Sequence, residues 1–266
     1  MKIFKSKHNL QKEIKTIKNI SFIPTMGGLH KGHISLIKKA KRFNGSLLVS
    51  IFVNPAQFNE KKDFVGYPRN VKKDLLILKR LKVDLVFLPS KNQIFNFIPK
   101  KKVFIDKFSK RLCGKSRKGH FEGVLNVVNR FLEIIDPKYL FLGKKDFQQL
   151  YLISKHIKTK KIRTKVIACE TTREFNGVAC STRNKNLTKK QFTVASKVYN
   201  YLKLKKRLLK NNIVEGKKNL YLLGVDKLDY LEILNLSTLN KPKSKKEKFR
   251  IFIAYYLGKN RLIDNI

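Results

Sequence analysis

The 266-residue sequence is poor in cysteine and in acidic side chains, and it has no long hydrophobic run. The three cysteines, Cys113, Cys169 and Cys180, lack metal-ligand spacing, and their odd number without a secretion signal argues against a disulfide framework. The longest apolar stretches, such as residues 47–53, fall far short of the roughly 18 residues that a membrane-spanning helix needs. The amino terminus has no apolar signal-peptide core. These features predict a cytoplasmic protein with reduced thiols.

Acidic residues are so few that 18 aspartates and glutamates stand against 61 lysines and arginines, a formal net charge of +43. Such an excess would ordinarily suggest a nucleic acid or another polyanion as a partner. The lysines are, however, spread along the whole chain and accompany abundant Ile, Asn and Phe, a pattern typical of drift toward A/T-rich codons. No aromatic RNP run and no glycine-flanked KH loop is present. We therefore favour a solvated basic surface over a face that binds nucleic acid, and the polyanion-binding face is the alternative.

Short apolar, β-branched runs bounded by turn residues recur along the first two thirds of the chain, and amphipathic stretches separate most of them. The runs predict strands at residues 20–23, 47–53, 84–88, 139–143 and 165–169. The amphipathic stretches at residues 71–82 and 122–135, and one with Leu36, Ile37, Ala40 and Phe43 on one face, predict helices. Strands that alternate with helices and are apolar on both faces predict an α/β, Rossmann-like, doubly wound parallel sheet.

The sequence changes in texture after residue 171. Residues 189–210 have a helical pattern, residues 229–236 and 249–258 have strand patterns, and a polar connection at 240–248 separates the two strands. With 42% hydrophobic residues the chain can form a sizeable core, and its length allows one or two domains. We predict a Rossmann-like domain at residues 1–171 and a second, smaller α+β domain at residues 172–266.

Ligands of a doubly wound sheet bind beyond the carboxyl ends of its strands. The loop after the first predicted strand has the sequence PTMGGLHKGH at residues 24–33. Its glycines let the backbone approach a ligand closely, and the amides that open the next helix are a ready anion site. His30 and His33 would project from adjacent turns to one side and offer N–H donors to phosphate oxygens. A metal pair, which lacks a third ligand nearby, and two incidental surface histidines are the alternatives.

The His-x-Gly-His pattern of this loop is the signature of nucleotidyl transferases related to class I tRNA synthetases. Together with residues 49–69, 119–150 and 173–184, the loop closely resembles the pantoate–β-alanine ligase (pantothenate synthetase) family. The resemblance covers nearly all of the first 185 residues and fades after residue 190. It implies ATP-dependent condensation of (R)-pantoate with β-alanine to give pantothenate, AMP and pyrophosphate through a pantoyl adenylate. It also implies Mg²⁺ with the ATP and a homodimer.

The resemblance further implies which residues bind ATP. His33 takes the position of the family's proton-donating catalytic histidine, His30 lies beside it on the phosphates, and Lys145 resembles the phosphate-binding lysine. Asp146 resembles the acid that serves the Mg²⁺ or nucleotide region, although no metal ligand is certain. The implied ATP-binding residues are Met26, Gly27, Gly28, Leu29, His30, Lys31, Gly32, His33, Gly143, Lys144, Lys145, Asp146, Thr172, Cys180, Ser181, Thr182 and Arg183.

Two of these groups have a more ordinary alternative, namely a simple turn at residues 143–146 and another at residues 180–183. The segment at residues 180–183 resembles the family's mobile loop, which clamps the phosphates. Ser181 and Thr182 would be its hydroxyl donors, and Arg183 would be a charged fork for oxyanions. Thr172 takes the position whose backbone touches the adenine.

Two glutamines match the family's pantoate-binding residues, Gln57 and Gln149, and Gln57 also faces β-alanine there. An amide suits this task because it donates to a carboxylate and accepts from a hydroxyl without adding charge. The second-line substrate residues implied by the resemblance are Asn54, Tyr67, Arg117 and His120. For Asn54, which precedes a proline, turn chemistry is the alternative.

The chain departs from the family pattern at three of these positions. Lys144 stands where the family usually has Glu, while Cys180 and Thr182 replace a Met and a Ser. Activity is still expected, because Thr keeps the hydroxyl and we expect Lys144 to point away from the phosphates. Two other functions stay open. A related transferase could use another acid or a nucleotide precursor, and a basic nucleic-acid-binding protein could be built on a decayed enzyme fold. The two glutamines weigh against the first. The retained histidines, Lys145, Asp146 and Arg183 weigh against the second.

Overall fold

The computed structural model describes residues 1–59, 64–244 and 247–266. Parts of two sequence segments discussed above, residues 60–63 and 245–246, therefore lie outside the described residues. The chain divides into two compact units, Met1–Glu170 and Thr171–Ile266. None of the described helices has the length and apolar character that crossing a membrane requires.

The first unit alternates strands and helices. Its strands are β1 (Lys2–Phe4), β2 (Ile20–Thr25), β3 (Ser46–Ile51), β4 (Leu85–Phe87), β5 (Tyr139–Gly143) and β6 (Lys165–Cys169). Its helices with described bounds are α1 (Lys7–Ile14), α2 (Lys31–Ala40), α3 (Val71–Arg80), α4 (Lys91–Phe95), α5 (Cys113–Ser116), α6 (His120–Ile135) and α7 (Phe147–Thr159). Short 3₁₀ turns lie at Pro55–Gln57, Lys107–Lys110 and Lys144–Asp146.

The six strands form one sheet in the order β1-β4-β3-β2-β5-β6, and every neighbouring pair is parallel. The prediction of a doubly wound parallel sheet is thus confirmed. β2 pairs with β3 on one side and with β5 on the other, so the strand order reverses at β2. A crevice opens at such a switch point, beyond the carboxyl ends of the strands. The sheet topology therefore places the loops after β2, β3 and β5 side by side.

Both faces of the sheet are covered, which explains why its central strands are apolar without alternation. On one face, the ring centroid of Phe22 in β2 lies 5.4 Å from that of Phe131 in α6. On the other face, Ile23 packs in a cluster with Ile37 of α2 and Leu78 of α3. Successive residues of β2 thus anchor helices on opposite sides of the sheet, and all these side chains are almost completely buried.

The second unit is a small α+β structure. Its helices are α8 (Lys189–Leu204), α9 (Lys206–Leu209) and α10 (Ile213–Leu222). Its strands β7 (Lys227–Asn235), β8 (Phe249–Leu257) and β9 (Asn260–Asn265) form an antiparallel sheet in the order β7-β8-β9. The helices bury Val198, Leu202 and Leu220 in the same core as Ile251 and Ile253 of β8. The predicted helix over residues 189–210 is interrupted at Lys205, and β9 extends the predicted strand pair to three strands.

His156 of α7 is completely buried in the first unit, and both of its ring nitrogens are engaged. Phe104 N donates to Nδ1 at 3.1 Å, so the neutral ring carries its hydrogen on Nε2, which donates to Asn129 Oδ1 at 3.0 Å. Burial, assisted by the nearby charges of Lys160 and Lys101, lowers the pKa of His156 to about 4. The ring is therefore a neutral structural link between α6, α7 and the segment around Phe104.

We predict that this histidine makes the fold sensitive to acid. Between about pH 4 and pH 6.5 the ring stays neutral in the native protein but binds a proton in the unfolded chain. Its contribution to the free energy of unfolding is therefore complete above pH 6.5 and is lost as the pH falls toward 4. His156→Gln should reduce the slope of unfolding free energy against pH near pH 5 by up to about 1.4 kcal/mol per pH unit. Urea unfolding from pH 4.5 to 7.5 measures the slope. His8→Gln controls for the loss of one histidine, and equal slopes in the two variants would contradict the assignment.

Candidate active site

The candidate active site of the first unit lies where β2, β3 and β5 end. The loop after β2 carries residues 26–33, the loop after β3 carries the turn Pro55–Gln57, and β5 leads into the turn Lys144–Asp146. The charges of Lys145 and Asp146 both act on His33, so the first and third of these loops are close enough for electrostatic interaction. The topology thus brings the predicted histidines and the predicted lysine to the same edge of the sheet.

The loop after β2 depends on two glycines in left-handed conformations, Gly27 at φ 78° and Gly28 at φ 63°. The amide of Gly27 donates to Thr25 Oγ1 at 3.2 Å. Those of Gly28 and Leu29 donate to Oδ2 and Oδ1 of Asp74 at 2.9 and 2.8 Å. A Cβ added at Gly27 would lie 2.9 Å from Asp74 Oδ2. Glycine is therefore required at this position both by the backbone conformation and by the closeness of a carboxylate.

The two histidines of the loop cap helix α2. His30 is the N-cap residue, and its Nδ1 accepts from the amide of Gly32 at 3.1 Å. Nδ1 of His33 in turn accepts from the amide of His30 at 3.3 Å, and the two ring centroids are 4.2 Å apart. Since both Nδ1 atoms accept, each neutral ring carries its hydrogen on Nε2. The imidazoles thus replace the serine or threonine and the glutamate of an ordinary capping box.

These bonds change one expectation about how the loop would bind an anion. The amides that open α2 were expected to form a ready anion site. The amides of residues 27, 28, 29, 30 and 32 all donate within the protein instead. A phosphate at this loop would therefore meet the two Nε2–H groups in place of those amides.

The environment of His33 keeps its ring neutral. Burial, together with the neighbouring His30 and Lys145, lowers the pKa of His33 to about 3, although Asp146 acts in the opposite direction. The residue is partly exposed by accessible surface, so it is not sealed off from a ligand. At neutral pH His33 is therefore a neutral hydrogen-bond donor.

The turn after β5 contains two lysines whose charges are paired with carboxylates. Lys145 Nζ lies 3.4 Å from Asp146 Oδ1. Lys144 Nζ forms an ion pair with Glu170, at the end of the first unit. Lys144, which departs from the family pattern, is thus held by Glu170. Lys145 is the lysine whose charge acts on His33.

Gln57 links the loops after β2 and β3. Its Nε2 donates to Met26 Sδ at 2.7 Å, and its Oε1 accepts from Asn54 Nδ2 at 3.4 Å. Asn54 is itself buried. Its Nδ2 also donates to the carbonyl of Gly123 at 3.1 Å, and its Oδ1 accepts from the amide of Ala56 at 3.2 Å. Asn54 therefore fixes the turn onto α6, and the turn chemistry considered for it is present.

Arg117 and His120 contact the backbone of Gln57. The Gln57 carbonyl accepts from Arg117 Nη2 at 3.2 Å and from His120 Nδ1 at 2.7 Å. His120 Nε2 accepts from Arg117 Nη1 at 3.0 Å. A Cβ added at Gly123 would lie only 2.3 Å from the carbonyl oxygen of Ala56, so α6 packs closely on this turn. Both predicted substrate residues thus hold Gln57 in position.

The two adjacent glutamines of α7 have different surroundings. Gln148 is buried; it donates to the carbonyls of Phe108 and Arg111, each at 2.7 Å, and accepts from the amide of Cys113 at 3.1 Å. Gln149, which the family resemblance selected, is half-buried one turn beyond the Lys144–Asp146 segment. Gln148 therefore has a structural task that Gln149 does not share.

Tyr67, another predicted substrate residue, is buried near the turn after β3. Its ring packs edge to face on Phe58, with the ring centroids 5.6 Å apart. Phe58 directly follows Gln57 in sequence, so this aromatic contact stabilises the end of the same turn.

The other predicted ATP-binding residues belong to the second unit. The amide of Cys180 donates to the carbonyl of Thr172 at 2.9 Å, which closes a short loop. Within that loop Arg173 forms a bidentate ion pair with Asp264 at 2.6 and 3.0 Å. Ser181 Oγ accepts from the amide of Arg183 at 3.3 Å and caps the 3₁₀ turn Thr182–Asn186. One anchored segment thus carries all five of these residues, namely Thr172, Cys180, Ser181, Thr182 and Arg183.

Asp74 was not predicted from the sequence as a residue of the site. Its position within the stretch 71–82 gave no sign of a role beyond the helix. The one available signal was an acidic side chain in a chain with only 18 acidic residues. Glu170, the partner of Lys144, was missed for a similar reason, since nothing near it in sequence indicates a lysine.

Comparison with known proteins covers the whole chain. A family model described as pantoate-beta-alanine ligase matches residues 2–266. The pantothenate synthetase of Francisella tularensis subsp. novicida (strain U112) is 42% identical over 267 residues, which cover 98% of this chain and 94% of that protein.

Solved structures agree with this match. The pantoate-beta-alanine ligase from Francisella tularensis, complexed with beta-gamma ATP and beta-alanine, has a TM-score of 0.86 at 41% identity and covers 100% of this chain and 97% of its own. The pantothenate synthetase from Thermus thermophilus has a TM-score of 0.90 at 30% identity, with 100% and 99% covered. The family resemblance that four sequence segments indicated is confirmed. The family match also includes the residues after 190, where the sequence alone showed little resemblance. The chain belongs to the pantoate–β-alanine ligase family.

Proposed function

We propose that this pantoate–β-alanine ligase makes pantothenate in two steps at the crevice beyond β2, β3 and β5. The carboxylate of (R)-pantoate attacks the α-phosphorus of ATP and expels pyrophosphate, which leaves a pantoyl adenylate. The amine of β-alanine then attacks the acyl carbon, loses a proton and expels AMP. The observation that carries the proposal is the pair of neutral imidazoles of His30 and His33 on a glycine loop beside Lys145. The solved relative that held beta-gamma ATP and beta-alanine supports it.

Both steps need positioning and charge stabilisation more than covalent participation by the protein. We assign His30 and His33 to the phosphates as Nε2–H donors, and Lys145 supplies a positive charge beside them. A bound polyphosphate would raise the pKa of His33 from its value of about 3, because a nearby negative charge favours the protonated ring. His33 therefore donates a hydrogen bond through Nε2–H. Its pKa rises as negative charge develops on the leaving group.

Mg²⁺ is proposed to arrive with ATP. No group of three or more His, Cys, Asp or Glu side chains that could hold a metal ion occurs within residues 1–59, 64–244 and 247–266. Mg²⁺ commonly keeps several waters and binds through one or two carboxylates together with substrate phosphates. Asp146, next to Lys145, fits that requirement. The ion would neutralise charge on the phosphates.

Pantoate is assigned to Gln57 and Gln149, with Asn54, Arg117 and His120 holding the turn that carries Gln57. Tyr67 packs on the same turn. In this proposal residues 1–171 bind ATP and pantoate, whereas residues 172–266 contribute Thr172 and the clamp residues 180–183. A homodimer, a cytoplasmic location and the absence of nucleic-acid binding stay predictions.

The first prediction of this function concerns the first step alone. Nothing in the assigned site requires β-alanine for pantoate and ATP to react, so ATP and pantoate should suffice for adenylate formation. Labelled pyrophosphate should therefore exchange into ATP when pantoate is present and β-alanine is absent. Exchange that needs β-alanine, or that occurs with β-alanine in place of pantoate, would overturn the proposed order and favour a related transferase.

The second prediction separates catalysis from substrate binding. His33→Ala and Lys145→Ala should each lower the turnover of pyrophosphate exchange about 10²- to 10³-fold, by analogy with loss of an oxyanion donor, and change the pantoate dissociation constant less than about twofold. Lys144→Ala is the matched control, because Lys144 pairs with Glu170, whereas the charge of Lys145 acts on His33. Near-normal turnover in either variant would remove that residue from the mechanism. Equal losses in both lysine variants would show that only bulk positive charge matters.

The third prediction uses the adjacent glutamines of α7. Gln149→Ala should weaken pantoate binding about 5- to 150-fold, since an unpaired buried polar group costs about 1–3 kcal/mol, while ATP affinity changes little. Gln57→Ala should act in the same way. Gln148→Ala is the control, and it should lower the melting temperature with pantoate affinity preserved in the folded protein. Titration calorimetry with each ligand decides the assignment, which fails if ATP binding collapses and pantoate binding survives.

A further inference from the structure

Asp74 lies beneath the glycine loop and is one of the few charged side chains that are almost completely buried, with 2% exposure. Each of its carboxylate oxygens accepts one backbone amide, Oδ2 from Gly28 at 2.9 Å and Oδ1 from Leu29 at 2.8 Å. The two bonded residues precede it by 46 and 45 positions, so the contact ties α3 to the start of α2. Hydrogen bonds to a charged acceptor are stronger than neutral ones.

The carboxylate is held in place from its own side by the packing of α3. Asn70 caps the helix through its side chain, which accepts from the amide of Lys73, and Asp74 stands in the first turn. One turn later Leu78 is completely buried in the core that also contains Ile37 of α2. Asp74 is thus mounted on a rigid element and reaches a loop that has no regular structure of its own.

Electrostatics argue against Asp74 as a direct contributor to phosphate affinity. A negative charge near a triphosphate site repels the ligand, and a buried charge is costly unless hydrogen bonds satisfy it. In a chain with 18 acidic and 61 basic residues, an acid at this point opposes the general charge. Any contribution of Asp74 to the site must therefore come from the loop conformation that its hydrogen bonds hold.

The geometry that Asp74 fixes is the one on which the histidines depend. Gly27 and Gly28 adopt left-handed conformations, and the next residues place His30 at the N-cap of α2 with His33 accepting from its amide. If the amides of Gly28 and Leu29 were released, the loop would lose the two bonds that join it to α3. The imidazole pair would then no longer be held in one orientation.

We propose that Asp74 is a positioning residue that fixes the glycine loop, and through it His30 and His33, in the conformation that receives the phosphates of ATP. This inference rests on the proposed function of that loop. The competing explanation is that Asp74 only stabilises the fold, like any satisfied buried acid.

The test is Asp74→Asn, which keeps the size of the side chain but turns one amide acceptor into a donor. Asp84→Asn is the matched control. Asp84 Oδ2 accepts from the amide of Leu47 at 2.8 Å at the amino end of β3, away from the loop. In Asp74→Asn, amide hydrogen exchange at Gly28 or Leu29 should accelerate at least about tenfold. The dissociation constant for ATP should rise about 10- to 100-fold, because one charge-assisted hydrogen bond is lost. The dissociation constant for pantoate should change less than about threefold. Asp84→Asn should leave all three readings near the wild-type values.

Each outcome of these measurements decides the question. Exchange that stays slow in Asp74→Asn would show that the carboxylate does not hold the loop. Faster exchange with unchanged or tighter ATP binding would reduce Asp74 to a stabilising or repulsive charge, and parallel loss of ATP and pantoate affinity would indicate general destabilisation; either overturns the inference. Wild-type protein that fails to bind ATP would instead overturn the proposed function, whatever the amide exchange shows.

Discussion

β2 is hydrogen-bonded to β3 along its whole length and to β5 at its start, and this double parallel pairing determines where ligands can bind in the first unit. Because all three strands run in the same direction, their carboxyl ends and the loops that follow them lie at one edge of the sheet. The helices cannot block that edge, since Phe22 and Ile23 of β2 hold them on the two faces. Residues that are far apart in sequence, such as His33 and Lys145, become neighbours for this reason.

Hydrogen bonding within the glycine loop determines what kind of site the crevice can offer. Five backbone amides of the loop donate to Thr25, Asp74 and the two histidine rings, so a ligand at these positions would meet side-chain donors instead. Neutral imidazole N–H groups bind a phosphate less tightly than ammonium groups do. That property suits a reaction that must release two phosphate-containing products, AMP and pyrophosphate, because strong ground-state binding of phosphate would not raise turnover.

Much of this arrangement could be predicted from the sequence, because it depends on local patterns. The continuous apolar strands and the amphipathic helices indicated a doubly wound sheet, and β2, β5 and β6 begin where the sequence predicted. β1 was missed because a three-residue edge strand becomes stable only when it pairs with β4. β9 was missed for a similar reason, since it depends on pairing with β8.

The residues of the site divide in the same way. The histidines and Lys145 are recognisable because they stand in short segments with a characteristic order. Asp74 and the bonds from Arg117 and His120 to Gln57 are contacts between distant segments, and no local pattern encodes them. The neighbouring glutamines of α7 illustrate the limit most directly. Identical side chains at Gln148 and Gln149 differ only in what the fold places around them.

The charges of the two lysines at the candidate site are balanced locally. The whole sequence has a formal net charge of +43, yet the two lysines after β5 are each paired with a carboxylate, Lys144 with Glu170 and Lys145 with Asp146. Exposed pairs of this kind contribute little to stability, but they cancel charge over short distances. In the proposed function, selection of ATP therefore depends on a few oriented donors, namely the Nε2–H groups of His30 and His33 and the ammonium of Lys145. The excess of lysine along the whole chain does not by itself supply such oriented donors.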